Sequence, residues 1–247
     1  MNSSTKSTYY INNAYTSERL KLHDTIIKSL FKKSNSLPFE ALLLGGGSAS
    51  GKSFVGELLL EAFKEENLDV TYIDADEIKK YIPEYNELLE TNDEYYIKKA
   101  AAFVHDESSD IAEKLLNKCI DEKSNFIYDG TMKNLDKYQN LISTLRFFNY
   151  KIKGVIVDVP LETALERAQI RFQAEGRYVP HDVIIDSHKS VALTFSKLQD
   201  EFDEFVLYDN TKQPAEPFAT KIQSVITIID DHLYNSFLNK ASDLVKK

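Results

Sequence analysis

Cysteine is almost missing from this chain. Cys119 stands alone among 247 residues, so no intrachain disulfide can form, and a reducing compartment such as the cytoplasm is expected. Long apolar runs are absent too. No stretch approaches the roughly 18 uninterrupted apolar residues that a membrane span requires. Residues 1–8 are polar and carry no apolar run, so no signal peptide is expected. Positive charge is in deficit: the formal net charge is −9, which argues against a nucleic-acid binder that works by general attraction to phosphate. What remains is ordinary globular composition, 43% apolar and 28% charged, and a length suited to one α/β domain or two small ones. Two further scarcities are informative because the few residues cluster. Of eight glycines, four (Gly45, Gly46, Gly47 and Gly51) fall within seven residues. Of five arginines, three (Arg167, Arg171 and Arg177) fall within eleven.

Residues 1–15 are rich in Ser, Thr, Asn and Tyr without periodicity and read as a tail or irregular arm. From Thr16 or Ser17, Leu20, His23, Ile27, Leu30 and Phe31 keep a helical period, giving an N-terminal helix within 16–34. Short apolar runs at 39–44, 69–73, 125–128, 151–159 and 205–208 read as strands. Between and after them, helices are expected at 53–65, 94–120, 135–148, 161–174, 181–202 and 218–238. Strands alternating with helices imply a mainly parallel five-stranded sheet covered on both faces, a three-layer αβα fold with flanking N- and C-terminal helices. No internal repeat or linker divides 35–247, so this stretch reads as one domain.

The glycine cluster resolves into a motif. Gly46, Gly47, Ser48, Ala49, Ser50, Gly51, Lys52 and Ser53 satisfy G-x-x-x-x-G-K-[ST] at every fixed position, between a strand and a helix. Glycines let the backbone wrap phosphate oxygens with N–H groups, and the helix N-terminus adds partial positive charge. Lys52 then reaches the outer phosphates of a nucleoside triphosphate such as ATP, and the Ser53 hydroxyl ligates Mg²⁺. The base-reading motif of GTPases and the protein-kinase signatures are absent. This leaves a nucleotide-driven switch or motor, or a small-molecule kinase, and the rest of the chain favours the kinase.

Asp74 and Asp76 end the second strand, where an open parallel sheet binds its ligands. Asp74 reads as a helix cap or support. Asp76 reads either as a cap or as the base that takes a proton from an acceptor hydroxyl. Asp129 ends the third strand, with Thr131 beside it, and is suited to Mg²⁺ or to the acceptor, or to a simple turn before Gly130. Arg167 and Arg171 share a helix face, and Arg177 follows Gly176, where a lid can hinge over a triphosphate. The bland alternative is a solvated face pairing with Glu162, Glu166 or Glu175. The five histidines show no metal-ligand spacing, and His23 and His188 read as packed side chains on apolar helix faces.

These residues, in this order, resemble the zeta-toxin family of P-loop kinases. The resemblance runs over about 39–212 and takes in 46–53, Asp74-Ala75-Asp76 with Lys79 and Pro83, and Val104-His105 with Glu107-Ser108. It continues through Asp129-Gly130-Thr131, Arg171, Gly176 to Pro180, and Tyr208-Asp209-Asn210. It implies ATP·Mg²⁺ as donor and the 3′-hydroxyl of UDP-N-acetylglucosamine as acceptor. It also implies a small antitoxin partner that covers the ATP site. By that likeness Asp76 falls on the catalytic base, Lys52, Arg171 and Arg177 on the groups facing the phosphates, and Glu113, Asp129 and Thr131 on substrate positions. Two residues depart from the family pattern: Asp129 stands for a glutamate and Lys133 for an arginine. Lysine lacks the bidentate fork, which leaves room for another nucleotide sugar, metabolite or antibiotic as acceptor. A nucleotide-gated interaction module with little chemistry is the alternative of another class.

Overall fold

The computed structural model describes residues 4–242 apart from 36, 92 and 176–178. The chain opens with helix α1 (Thr5–Tyr9), the two-residue strands β1 (Tyr10–Ile11) and β2 (Ala14–Tyr15), and helix α2 (Ser17–Leu30). There follow β3 (Glu40–Gly46), α3 (Lys52–Glu65), β4 (Thr71–Ile73), α4 (Ala75–Ile78), α5 (Pro83–Glu90), α6 (Glu94–Phe103) and α7 (His105–Asp121). The second half comprises β5 (Phe126–Asp129), α8 (Leu135–Phe147), β6 (Lys151–Asp158), α9 (Leu161–Glu175), α10 (His181–Leu198), β7 (Glu204–Asp209), β8 (Glu216–Ile222), β9 (Val225–Ile228) and α11 (Asp231–Asn239).

The main sheet has seven strands in the order β4-β5-β3-β6-β7-β8-β9. The first five of these run parallel, and β8 and β9 extend the sheet antiparallel. Period-2 alternation splits the strand side chains between two cores. Ala41, Leu43, Phe126, Tyr128, Ile156 and Leu207 face one layer, with Ile26, Ile111, Leu115, Leu145 and Phe195 from the helices. Leu42, Leu44, Ile127, Val155 and Val157 face the other, against Val55, Leu59 and Phe63 around α3. Helices on both faces of a mostly parallel sheet give the expected three-layer architecture. Among the described residues no helix is long and apolar enough to cross a membrane.

Several expectations need correction. Residues 4–15 are not an irregular tail: Ser4 caps α1 through a reciprocal capping box with Ser7, and β1 and β2 form a hairpin. The single helix expected at 94–120 is two, divided at Val104. An additional helix, α5, starts on Pro83, where a missing N–H costs nothing. The helix expected at 218–238 is mostly a β-hairpin. Phe218, Ile222, Ile226 and Ile229 fall at helical spacing, but Gln223 and Ser224 adopt φ of 50° and 66° and turn the chain back on itself. The β-branched run from Val225 to Ile228 then pairs with β8, giving seven strands where five were expected.

Candidate active site

The phosphate loop hangs between β3 and α3 at the carboxyl edge of the sheet. Ala49 and Gly51 take positive φ, 62° and 86°, which turns the loop toward the helix axis. Gly51 must lack a side chain, since a Cβ there would lie 2.1 Å from Asn210. The loop is pinned from outside. Ser48 N–H donates to Ser187 Oγ at 2.8 Å, Asn210 Nδ2 donates to the Ser50 carbonyl at 2.8 Å, and His188 Nε2 lies 3.0 Å from the Ser48 carbonyl oxygen. Arg167 Nη2 in turn donates to the Asn210 carbonyl at 2.8 Å. The Ser48 and Ser50 carbonyls are thus engaged by side chains from outside the loop, and Lys52 lines its concave side.

That concave side belongs to a cavity of about 500 Å³, lined by the whole of 46–53 with Asp76, Thr131, Lys133, Arg167, Arg171, Val183 and Ser187. Sheet topology explains the convergence. β5 lies beside β3 with Asp129 in register with Leu44, and β4 lies beside β5, so residues 76, 129 and 131 arrive next to a loop more than 20 positions away in sequence. Lys52 Nζ contacts the Asp129 carboxylate, whose other oxygen accepts from Tyr72 Oη at 2.5 Å. Asp129 is itself buried at the floor. Burial pulls the Lys52 ammonium below its ordinary range, and Asp74 and Asp76 only partly restore it. Burial likewise raises the Asp74 carboxyl, whose side chain accepts from Asp76 N–H at 2.7 Å as the cap of α4. Asp76 has a half-exposed side chain in the cavity lining, and its Oδ1 accepts from the buried Lys79 Nζ at 2.6 Å.

The fold therefore brings Lys52, Asp76, Arg171, Thr131 and Lys133 around the loop, with Asp129 held against Lys52. Arg177 lies outside the described residues. Glu113 does not join this cavity. Asp110, Glu113, Lys114 and Asn117 form one face of α7, by their i, i+3, i+4, i+7 spacing, and that face lines a separate depression under the N-terminal hairpin with Lys6 and Tyr15. Sequence reasoning had left three contacts unread: Ser187 and His188 on α10, and Tyr72 on β4. His188 is fully buried, as a packed residue should be, but its ring reaches the loop. The near neighbour of Gly47 is the only local hint, because a Cβ on Gly47 would meet that ring at 2.2 Å.

A metal is implied by the loop motif. Among the described residues no group of three or more His, Cys, Asp or Glu side chains is placed to hold one unaided. The donor set fits Mg²⁺ carried in on nucleotide phosphates, with the Ser53 hydroxyl at the cavity wall as a protein ligand.

With this geometry in place, comparison with known proteins is informative. The family model described as Zeta toxin matches residues 25–219. The chain belongs to the zeta toxin family. Toxin PezT of Streptococcus pneumoniae is 25% identical over 165 residues, 63% of this chain and 62% of that protein. The calmodulin calcium-dependent NAD kinase of Arabidopsis thaliana is 34% identical over 93 residues, 37% of this chain but 17% of the kinase. The chain thus spans less than two thirds of the length of either curated relative. Among solved structures, the AvrRxo1-ORF1:-ORF2 complex with ATP superposes with a TM-score of 0.72 at 18% identity, covering 96% of this chain and 82% of that one. That likeness establishes a shared fold. The zeta toxin match itself runs from within α2 to within β8.

Proposed function

We propose that this zeta-toxin-family chain is an ATP-dependent kinase that phosphorylates a hydroxyl of a nucleotide-bearing acceptor, in the first instance the 3′-hydroxyl of UDP-N-acetylglucosamine. The observation that carries the reading is the convergence of a carboxylate, two cations and a phosphate loop on one cavity: Asp76, Lys52, Arg171 and 46–53. A binding module needs the loop; it does not need a carboxylate held opposite it.

The loop N–H groups and Lys52 cradle the β and γ phosphates. Lys52 leaves Asp129 for the incoming anion, which restores the charge partner its burial demands. When bound, Mg²⁺ neutralises charge on the phosphates, and Ser53 holds it there. Asp76 accepts the proton of the acceptor hydroxyl as its oxygen attacks the γ phosphorus. The bond from that phosphorus to ADP breaks, and Lys79 holds the Asp76 carboxylate in place at 2.6 Å. Arg171 faces the oxygens of the transferring group, as Arg177 would. Thr131 and Lys133 form the wall where the acceptor sits, and Asp129, two residues before Thr131, stays fastened by Tyr72 after Lys52 has left it.

A second acceptor, NAD, has one observation in its favour: the NAD kinase of Arabidopsis thaliana is more similar over its matched segment than PezT is. Both acceptors present a ribose-linked diphosphate to Lys133. An antitoxin partner, which would work by covering the nucleotide cavity, is consistent with the two-protein composition of the AvrRxo1-ORF1:-ORF2 neighbour. The test is direct. Purified protein is incubated with ATP, Mg²⁺ and a panel containing UDP-N-acetylglucosamine, related nucleotide sugars, NAD and aminoglycosides, and each acceptor is weighed by mass spectrometry. A gain of one phosphate on UDP-N-acetylglucosamine supports the first reading, and a gain on NAD alone supports the second. ATP hydrolysis with no phosphorylated acceptor overturns both.

A further inference from the structure

A line of three side chains joins the C-terminal helix to the phosphate loop. Lys240, at the C-terminal end of α11, places Nζ 2.6 and 2.7 Å from the two oxygens of Asp158 and donates to the Val159 carbonyl at 2.7 Å. Asp158 is the last residue of β6. Its Oδ1 lies 3.6 Å from His188 Nδ1, too long for a hydrogen bond but close enough for the carboxylate to act on the ring. The other ring nitrogen, Nε2, lies 3.0 Å from the Ser48 carbonyl oxygen. A carbonyl can only accept, so Nε2 carries the hydrogen that this contact uses. All three side chains are nearly removed from solvent: His188 is fully buried, with 14% of the Asp158 side chain and 9% of the Lys240 side chain exposed.

The ring's position is demanding. It lies flat against Gly47, in space that any Cβ there would occupy. From that position it engages the Ser48 carbonyl, and the ring itself is not part of the cavity lining. A carbonyl oxygen swung inward would repel phosphate oxygens and remove a neighbouring N–H from the cradle. A carboxylate free to close on Nδ1 would draw the ring hydrogen to that nitrogen and leave Nε2 with a lone pair against the Ser48 carbonyl; with both its oxygens held by Lys240, Asp158 stays 3.6 Å away. Lys240 fixes Asp158 in turn, leaving it one arrangement. The family match ends at residue 219, so Lys240 lies outside it.

We infer that Lys240, Asp158 and His188 form a positioning relay by which α11 sets the phosphate loop for nucleotide binding. Neither Lys240 nor Asp158 touches the nucleotide; both act through His188. The inference rests on the reading of this cavity as an ATP site and adds to it residues that set ATP affinity. It predicts an effect confined to the donor side. Lys240→Met raises KM for ATP and the dissociation constant of a fluorescent ATP analogue by about three- to tenfold, the scale of one ordinary hydrogen bond lost to the loop. It leaves kcat and KM for the acceptor within about twofold, a split that a general loss of packing would not produce. Lys240→Arg, which can still span Asp158, restores affinity, and His188→Ala weakens the analogue by at least as much as Lys240→Met. Should His188→Ala fail to fold, the Lys240→Met and Lys240→Arg pair decides alone. The relay is overturned if Lys240→Met binds the analogue as tightly as the unaltered chain, or if KM for ATP and for the acceptor rise together. If the unaltered chain binds no ATP, the kinase reading fails and the relay falls with it; intact binding in every variant removes the relay alone.

Discussion

Two buried carboxylates, Asp129 and Glu107, are each held by a cation, yet their surroundings differ. Glu107 is saturated. Arg19 Nε and Nη2 donate to it at 2.5 and 2.7 Å, His23 Nε2 donates at 2.7 Å, and the same arginine reaches Glu84 at 2.8 Å by two parallel bonds. The ring of Tyr9 stacks on the Arg19 guanidinium at 4.2 Å, and His23 Nδ1 accepts from Lys114 at 2.9 Å. Burial works to raise the Glu107 carboxyl, but the bonds from His23 and Arg19 outweigh it and hold it at about 2. Asp129 has Lys52 and Tyr72, and Lys52 pays the cost of its own burial, its ammonium pushed below the ordinary range. One cluster is complete as it stands and fastens the N-terminal segment to α7. The other borders an open cavity and is completed by an anion from outside. Satisfied ionic groups specify structure; a cation whose burial is only partly compensated marks a place where ligand binding releases free energy.

The comparison can be broken most forcefully at Arg19. Arg19→Met leaves Glu107 and Glu84 facing each other without a cation and is expected to cost about 3–5 kcal/mol of folding stability. Urea unfolding measures this, and protein that remains folded keeps its affinity for ATP analogues. Lys52→Ala has the opposite profile: phosphoryl transfer falls about 10²–10³-fold, read as kcat/KM, while the unfolding midpoint changes less than for Arg19→Met. A milder perturbation of the Arg19 cluster comes from acid. The folded Glu107 carboxyl sits at about 2 against an ordinary value of 4.5, so the stability it contributes is present above pH 4.5 and is lost as the pH falls through about 2. Unfolding followed against pH shows this limb, and it flattens in Glu107→Gln. The smallest effect is expected at Glu113. Glu113→Gln leaves acceptor KM unchanged and shifts stability by no more than about 0.5 kcal/mol, since this residue lines the depression under the hairpin and not the nucleotide cavity.

What the sequence disclosed follows the range of the interactions involved. The phosphate loop is local: spacing alone places Gly46, Gly51, Lys52 and Ser53, and strand and helix follow on either side. Asp76 and Asp129 were legible as strand ends, because the carboxyl edge of a parallel sheet is shared by all its strands. The pairing of Asp129 with Lys52 was not, since it depends on β5 inserting between β4 and β3. Glu113 went astray for a related reason. Helix spacing tells which residues share a face of α7 and says nothing of what that face meets, and here it meets the hairpin. The N-terminal arm and the β8–β9 hairpin were misread because their order is set by partners and turns. Thr5 is buried and Tyr15 donates to Asp110 at 2.7 Å, contacts across some hundred residues that leave no periodic trace. Across β8 and β9, Phe218, Ile222, Ile226 and Ile229 happen to fall at helical spacing, and the two positive-φ residues at 223 and 224 decide for the hairpin.

In the kinase proposed here the cavity performs chemistry with Asp76 as the base. This role is tested most directly by single-turnover transfer of isotopically labelled γ phosphate from ATP to the acceptor identified in the panel, comparing the unaltered chain with Asp76→Asn. Labelled acceptor is expected from the unaltered chain, with a rate lower by about 10²–10⁴-fold for Asp76→Asn and the same ATP affinity in both. Equal rates of transfer from the two proteins would contradict that role.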